Sequence, residues 1–189
     1  LAGAQGEHAV RRSLAAAQIA ATPEALRVQV LAWQQMAWLR RQQGRGSDAQ
    51  VAAEEAMRLA AAAVAQTGTD AAQPAAEQAL RDIGQTGSTL AIVLEDSGQT
   101  AAAFAVLANV LPLQQRLAER QPDDLPAQYA LIDTLGRLGM LQRALGATTG
   151  RAPAYSDQAV ALYEQLQART PYDPILGRSG WPGMFAMAV

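Results

Sequence analysis

The chain has 189 residues, a formal net charge of −2 at pH 7 and an apolar half that is dominated by alanine. Aromatic residues make up 5% and strand-forming residues are not enriched, so the composition favours helices throughout. There is no cysteine and only one histidine, which excludes disulfides and a conventional zinc site. The 15 cationic residues are all arginines, and they form no basic stripe of the kind that binds nucleic acid. We therefore predict an all-α chain that binds no nucleic acid, metal or cofactor.

Helical spacing and helix-ending signals predict seven helices along the chain. The first spans residues 7–21, and we interpret 7–22 as half of a truncated repeat. The second helix is predicted over residues 24–43, and the third follows the turn at 44–46 and ends at about residue 66. The remaining four are predicted from 75 to about 96 and over 100–120, 125–146 and 155–169. Ser47 or Asp48, and later Thr100, are expected to cap the helices that they precede, and Asp123-Asp124 to cap the helix at 125. Pro112 should kink the helix that contains it.

Helix-ending signals recur at nearly even intervals. Gly68, Pro122 and Pro171 mark three of them, 54 and 49 residues apart, and Gly44 and Gly98 each stand 24 residues before the first two. Such a period is typical of stacked helical hairpins. We predict repeats over about 24–70, 71–124 and 125–174, followed by a C-terminal loop and apolar tail over 175–189. Because the chain begins with leucine, we expect it to be cut from a longer protein.

The last helix pair carries regularly spaced residues: Leu135-x2-Leu138-Gly139-x2-Gln142, and then Ala159-x3-Tyr163 with Pro171. This pattern resembles a tetratricopeptide repeat (TPR), with leucine for the usual tryptophan, glutamine for the usual tyrosine and extra residues inserted within 147–153. The middle pair has Ala103-x3-Leu107 and a longer second helix. It resembles the extended repeats of kinesin light chains and of regions associated with bacterial serine/threonine kinases and caspase-like proteases. The resemblance covers about 24–174.

The resemblance implies a right-handed α–α superhelix whose first helices line a concave face. It further implies a protein-interaction, sensor or scaffold region of a larger bacterial signalling protein, with a serine/threonine kinase as the favoured host. Adjacent acidic residues such as Glu54-Glu55 fit a solvated helix face, and the sequence holds no set of general bases, so we expect no enzyme activity in this region. The sequence contains no uninterrupted run of about 18 apolar residues, so we predict no insertion of this chain into a membrane. The compartment stays open between the cytoplasm and the outer side of a membrane-anchored protein.

Polar residues on the predicted first helices are the candidates for binding a protein or peptide partner. Arginine offers a planar fork of donors for a peptide carboxylate or backbone. The candidates are Gln78, Arg81, Gln85, Tyr129, Asp133 and Arg137, together with Arg151 in the inserted loop. A plain solvated helix face is the alternative for each of them. For the whole chain, the alternatives are a structural spacer or homo-oligomerisation module, and the substrate-recruiting arm of a caspase-like protease.

Overall fold

The computed structural model describes residues 22–69, 73–146 and 155–170. Within these ranges it contains six α-helices and no strand, which confirms the all-α prediction for this part of the chain. The helices end within two residues of their predicted bounds. They are α1 (Pro23–Gln42), α2 (Gly46–Thr67), α3 (Pro74–Asp96), α4 (Thr100–Arg120), α5 (Leu125–Ala144) and α6 (Tyr155–Arg169). The half repeat at 7–22 (apart from its last residue), the 147–153 insertion and the 175–189 tail lie outside the described residues.

Proline and side-chain caps begin the odd-numbered helices. A proline occupies the first turn of α1, α3 and α5, where no helical N–H is lost. Thr22 and Asp124 are N-caps whose side chains accept the backbone N–H groups of Ala25 (3.2 Å) and Ala127 (3.3 Å). The predicted cap at Asp123-Asp124 is therefore confirmed, at Asp124.

Two other predicted caps are wrong. Helix α2 already begins at Gly46, so Ser47 and Asp48 lie inside its first turn; Asp48 accepts a 2.7 Å hydrogen bond from the Arg45 side chain instead. Thr100 is the first residue of α4, and the cap position before it makes no side-chain hydrogen bond to the helix. Helix α4 continues through Pro112, which is exposed, and the kink predicted there stays a prediction.

A glycine with positive φ follows each odd-numbered helix: Gly44 at 71°, Gly98 at 72° and Gly146 at 71°. At Gly44 and Gly98 the N–H groups of the glycine and of the next residue donate to carbonyls in the last turn. This closing pattern needs a left-handed residue, which glycine adopts without steric cost. The turn glycines are 54 and 48 residues apart, close to the 54- and 49-residue spacing of the helix-ending signals in the sequence.

The helices pack in a repeating order. Each helix packs on the next one along the chain, and in addition α1 contacts α3 and α3 contacts α5. Seven residues before the three turn glycines stand Ala37, Ala91 and Gly139, and all three are buried. These small residues let the neighbouring helix approach closely. The odd-numbered helices consequently lie side by side, and the candidate site forms where they meet.

Candidate binding groove

The three odd-numbered helices enclose a cavity of about 380 Å³, to which α4 contributes two side chains. We call it the central groove. Its apolar walls include Leu31 of α1, Leu80 of α3 and Leu117 of α4. Polar groups converge on it from all four helices, and they belong to Arg27, Gln78, Arg81, Asp82, Gln85, Ser88, Gln114 and Asp133. Apolar walls with a few polar groups, at this volume, are typical of ligand-binding pockets.

A glycine in α3 and a glutamine in α4 meet in the central groove. A Cβ atom placed on Gly84 would lie 2.8 Å from Nε2 of Gln114, so the amide of Gln114 occupies the space that a side chain at 84 would fill. Gln114 is only 4% exposed. Neither Nε2 nor Oε1 has a hydrogen-bond partner among the described residues. A buried polar atom without a partner costs free energy. Both amide atoms are shielded from solvent, so an incoming group can pair with them only after the Gln114 side chain turns toward the cavity.

The neighbouring hairpin has a different pair at the same place. Fourteen residues before the turn glycine stand Val30 in α1 and Gly84 in α3, and sixteen after it stand Ala60 in α2 and Gln114 in α4. Val30 and Ala60 are fully buried in one apolar cluster. The packing of a hairpin therefore does not require a glycine and a glutamine at these positions. They are a departure of the middle hairpin from its neighbour.

Asp82 also lines the groove, with an exposed fraction of 5%. Its Oδ1 accepts a 2.8 Å hydrogen bond from Gln78, and its Oδ2 lies 3.5 Å from Nε of Arg27. Burial nevertheless raises the pKa of the Asp82 carboxyl, because it removes water from the charged form. Arg27 is half exposed and directs its charge toward Asp82.

Arg81 also lines the groove, and carboxylates of this chain already hold its guanidinium. It donates to Glu77 at 2.7 Å, to Oε1 of Gln121 at 2.8 Å and to Asp124, the N-cap of α5. Hydrogen bonds from Arg81 lower the pKa of the Glu77 carboxyl. The fork of Arg81 therefore ties α3 to the turn between α4 and α5.

Four of the seven predicted site residues, Gln78, Arg81, Gln85 and Asp133, line the central groove. Gln85 is exposed in α3. Arg137 donates to Asp133 at 3.2 Å and to Glu95 at 3.3 Å, and it does not border the cavity. Tyr129 is partly buried against the main hydrophobic core. Arg151 lies outside the described residues, so its predicted role stays a prediction.

A second cavity of about 380 Å³ lies between α4, α5 and α6, and several glutamines line it. One of them, Gln128, is as buried as Gln114, at 5% exposed. Its Nε2, however, donates to the carbonyl of Ala118 at 2.9 Å. The partnerless amide therefore distinguishes the central groove from the second cavity.

The described helices offer little support for two other kinds of site. No helix among them combines the length and the apolar character that a membrane-spanning helix needs. Nor do the described residues bring three or more histidine, cysteine, aspartate or glutamate side chains together as metal ligands would be.

Sequence reasoning missed Gln114, Asp82 and Arg27. One signal for Gln114 was present, because Gly84 stands fourteen residues before the turn at Gly98 and Gln114 sixteen after it. In a hairpin, such residues lie about opposite each other. Asp82 and Arg27 gave no comparable signal, since only the packing of α1 on α3 brings them together.

Comparison of the chain with known proteins gives no relative from which to assign a family. No protein-family model, curated protein or solved structure matches it. The resemblance to tetratricopeptide repeats thus depends on the residues and turn spacing of the chain itself.

Proposed function

We propose that this chain is a TPR-like helical-hairpin superhelix that binds a peptide segment of a protein partner in the central groove. The equivalent turn glycines and the lateral contacts of α1, α3 and α5 support the superhelix. In hairpin arrays each unit leaves an apolar face that its neighbours cover, and the surface so formed is commonly used for binding. The proposed role is interaction or sensing, with chemistry left to other domains.

The observation that carries this proposal is the central groove itself. Its volume of about 380 Å³ falls within the range of ligand pockets, and its walls combine leucine side chains with an amide that lacks a partner among the described residues. A solvated helix face would have neither a cavity nor a buried polar atom awaiting a partner. The groove also holds four of the residues that the sequence marks for partner binding.

The host follows from the resemblance to extended bacterial repeats. We propose a larger bacterial signalling protein, with a serine/threonine kinase favoured over a caspase-like protease whose substrates this region would recruit. Either host would use the same groove.

Self-association is a second candidate function, favoured by exposed apolar side chains on the first two helices. Val28 of α1 is 46% exposed and Val51 of α2 is 60% exposed. A spacer or oligomerisation module would form a concentration-dependent dimer and select no peptide. Light scattering over a range of protein concentrations, with Val28→Ser and Val51→Ser as variants, tests this alternative.

Blocking the groove tests the main proposal. Ala130 of α5 is exposed and lines the cavity, so Ala130→Trp should fill the groove without disturbing the core. Ala102→Trp, at an exposed position of α4 away from the cavity, is the matched control. Peptides selected from a displayed random library on the unmodified protein should bind the control normally and the blocked variant at least about tenfold more weakly. Equal binding to both variants, or no enriched peptide, would refute the proposal.

A further inference from the structure

We propose that the central groove selects its peptide by a primary carboxamide, the side chain of asparagine or glutamine, which pairs with the amide of Gln114. This inference rests on the proposed peptide-binding function and names the group that the groove recognises. It depends on three features of the described residues: the partnerless amide, the cancelled charges around it and the departure of the middle hairpin from its neighbour.

The amide of Gln114 offers a donor and an acceptor side by side. Its NH₂ group donates and its carbonyl oxygen accepts, and neither has a partner among the described residues. A second primary carboxamide presents the complementary acceptor and donor in one plane, so two hydrogen bonds form together. A carboxylate offers acceptors alone and an ammonium group donors alone, so each would leave one atom of Gln114 unpaired.

The depth of Gln114 favours a side chain over the main chain of the peptide. Gln114 is 4% exposed, and Leu80 and Leu117 border the same cavity. An extended main chain carries side chains on both faces, which hinders its entry into such a pocket. Once the Gln114 side chain has turned toward the cavity, the end of a single peptide side chain can reach the amide, and its methylene groups contact the leucine walls.

The charges of the groove favour a neutral group. Two arginines and two aspartates line it, and each is matched within the protein. Arg27 faces Asp82, Arg81 is held by Glu77 and Asp124, and Asp133 accepts from Arg137. An incoming carboxylate would lose water beside Asp82 and Asp133, and it would have to share Arg27 with Asp82. An ammonium group would meet Arg27 and Arg81 and find both aspartates engaged.

The comparison between hairpins indicates that packing does not account for the unpaired amide of Gln114, although it accounts for Gly84, whose missing side chain leaves room for that amide. The first hairpin fills the equivalent positions with Val30 and Ala60, which are fully buried and apolar. The middle hairpin exchanges them for a glycine and an amide without a partner among the described residues, two choices that weaken a helical core. Recognition of a carboxamide supplies a physical reason for the amide, and Gly84 leaves the room that the amide occupies.

The experiment uses butyramide, which reproduces the glutamine side chain, with butyrate and butylammonium as charged analogues of similar size. Each is titrated into the ¹⁵N-labelled chain and followed by two-dimensional NMR. Butyramide should shift the backbone signals of groove residues such as Gly84 and Ser88 saturably, with a Kd in the millimolar range expected of about six heavy atoms. The two charged analogues should bind at least about tenfold more weakly.

Three variants complete the test. Gln114→Met should abolish the butyramide shifts, whereas Gln115→Met, the same change one residue along α4 and facing the second cavity, should leave them unchanged. Gly84→Val combined with Gln114→Ala transplants the pair of the first hairpin and should remove binding from a chain that stays folded. Circular dichroism establishes the fold of each variant before titration.

The inference is overturned if Gln114→Met binds butyramide as the unmodified chain does, if butyrate binds more tightly, or if no analogue shifts a groove signal. These failures are separate from failure of the proposed function. If library peptides bind the Ala102→Trp control and not Ala130→Trp, the groove still binds peptides, but it recognises a group other than a carboxamide.

Discussion

Replacing Gln114 by methionine should stabilise the protein in the absence of a partner. The amide of Gln114 is buried and without a hydrogen-bond partner among the described residues. Methionine has a side chain of similar length and no strong polar group, and its flexibility allows it to fill irregular space beside Gly84. The substitution therefore removes a desolvation cost while keeping most of the packing. A polar-to-apolar change in a core glutamine that already has partners should do the opposite.

The expected size follows from the two atoms involved. A buried donor or acceptor left unsatisfied costs about 1–3 kcal/mol. We expect Gln114→Met to raise the free energy of unfolding by about 1–2 kcal/mol, because part of the gain is offset by imperfect packing of the sulfur. For a domain of this size, that corresponds to an increase in Tm of about 3–6 °C.

Gln128→Met is the matched control, since Gln128 is equally buried but donates to the carbonyl of Ala118. The helical partner of that carbonyl would be the N–H of residue 122, which is a proline and has none. Removing the amide leaves the carbonyl unsatisfied and should cost about 1–3 kcal/mol. Urea unfolding with an unchanged m-value measures both variants. If both substitutions destabilise by similar amounts, Gln114 is satisfied in solution and the reasoning fails.

Gly87→Ala should destabilise by about 1–3 kcal/mol despite its gain in helix propensity, because the new Cβ would lie 2.7 Å from Cγ2 of Val110. Gly46→Ala, whose nearest contact is 4.0 Å away, should be neutral or gain less than about 1 kcal/mol; thermal unfolding of the pair checks this. Acid should act oppositely at two carboxyls. The lowered pKa of Glu77 gives stability that is present above pH 4.5 and lost as the pH falls through the lowered value. The raised pKa of Asp82 gives stability that is gained as the pH falls through the raised value toward 3.8. Urea unfolding of Glu77→Gln and Asp82→Asn across that range should show slopes that differ from the unmodified chain in opposite directions.

The bounds of the helices are predicted well because each bound depends on a few neighbouring residues. Proline in a first turn and glycine after a last turn are readable without knowing what the helix packs against. Glycines inside a helix, such as Gly84 and Gly87, indicate close contact with a neighbouring helix, and the side chains of Gln114 and Val110 lie against them. Caps were less predictable, because Ser47 and Thr100 compete with the residues just before them for the start of the helix.

The chemistry of the groove could not be read in the same way, because pairing between distant side chains decides it. Arg81 has the residue type expected for grasping a carboxylate, yet Asp124, 43 residues further on, already accepts from it. An aspartate in a polar helix segment is expected to be exposed to solvent, yet packing buries Asp82. The sequence shows which types of group a groove contains, but it does not show whether those groups are already paired within the protein.

The cost of burying the unpaired amide of Gln114 is the best physical argument for the proposed site. Fourteen and eleven residues before their turn glycines, α1 has Val30 and Trp33 and α5 has Ile132 and Leu135, whereas α3 has two glycines. Side chains of α4 occupy the space at both glycines, Gln114 at Gly84 and Val110 at Gly87, so packing accounts for the glycines but not for the unpaired amide. Local choices that weaken a fold without a visible structural gain concentrate at functional sites. The unpaired amide of Gln114, in the lining of the cavity between the three odd-numbered helices, is therefore where we propose that a bound segment makes its deciding contact.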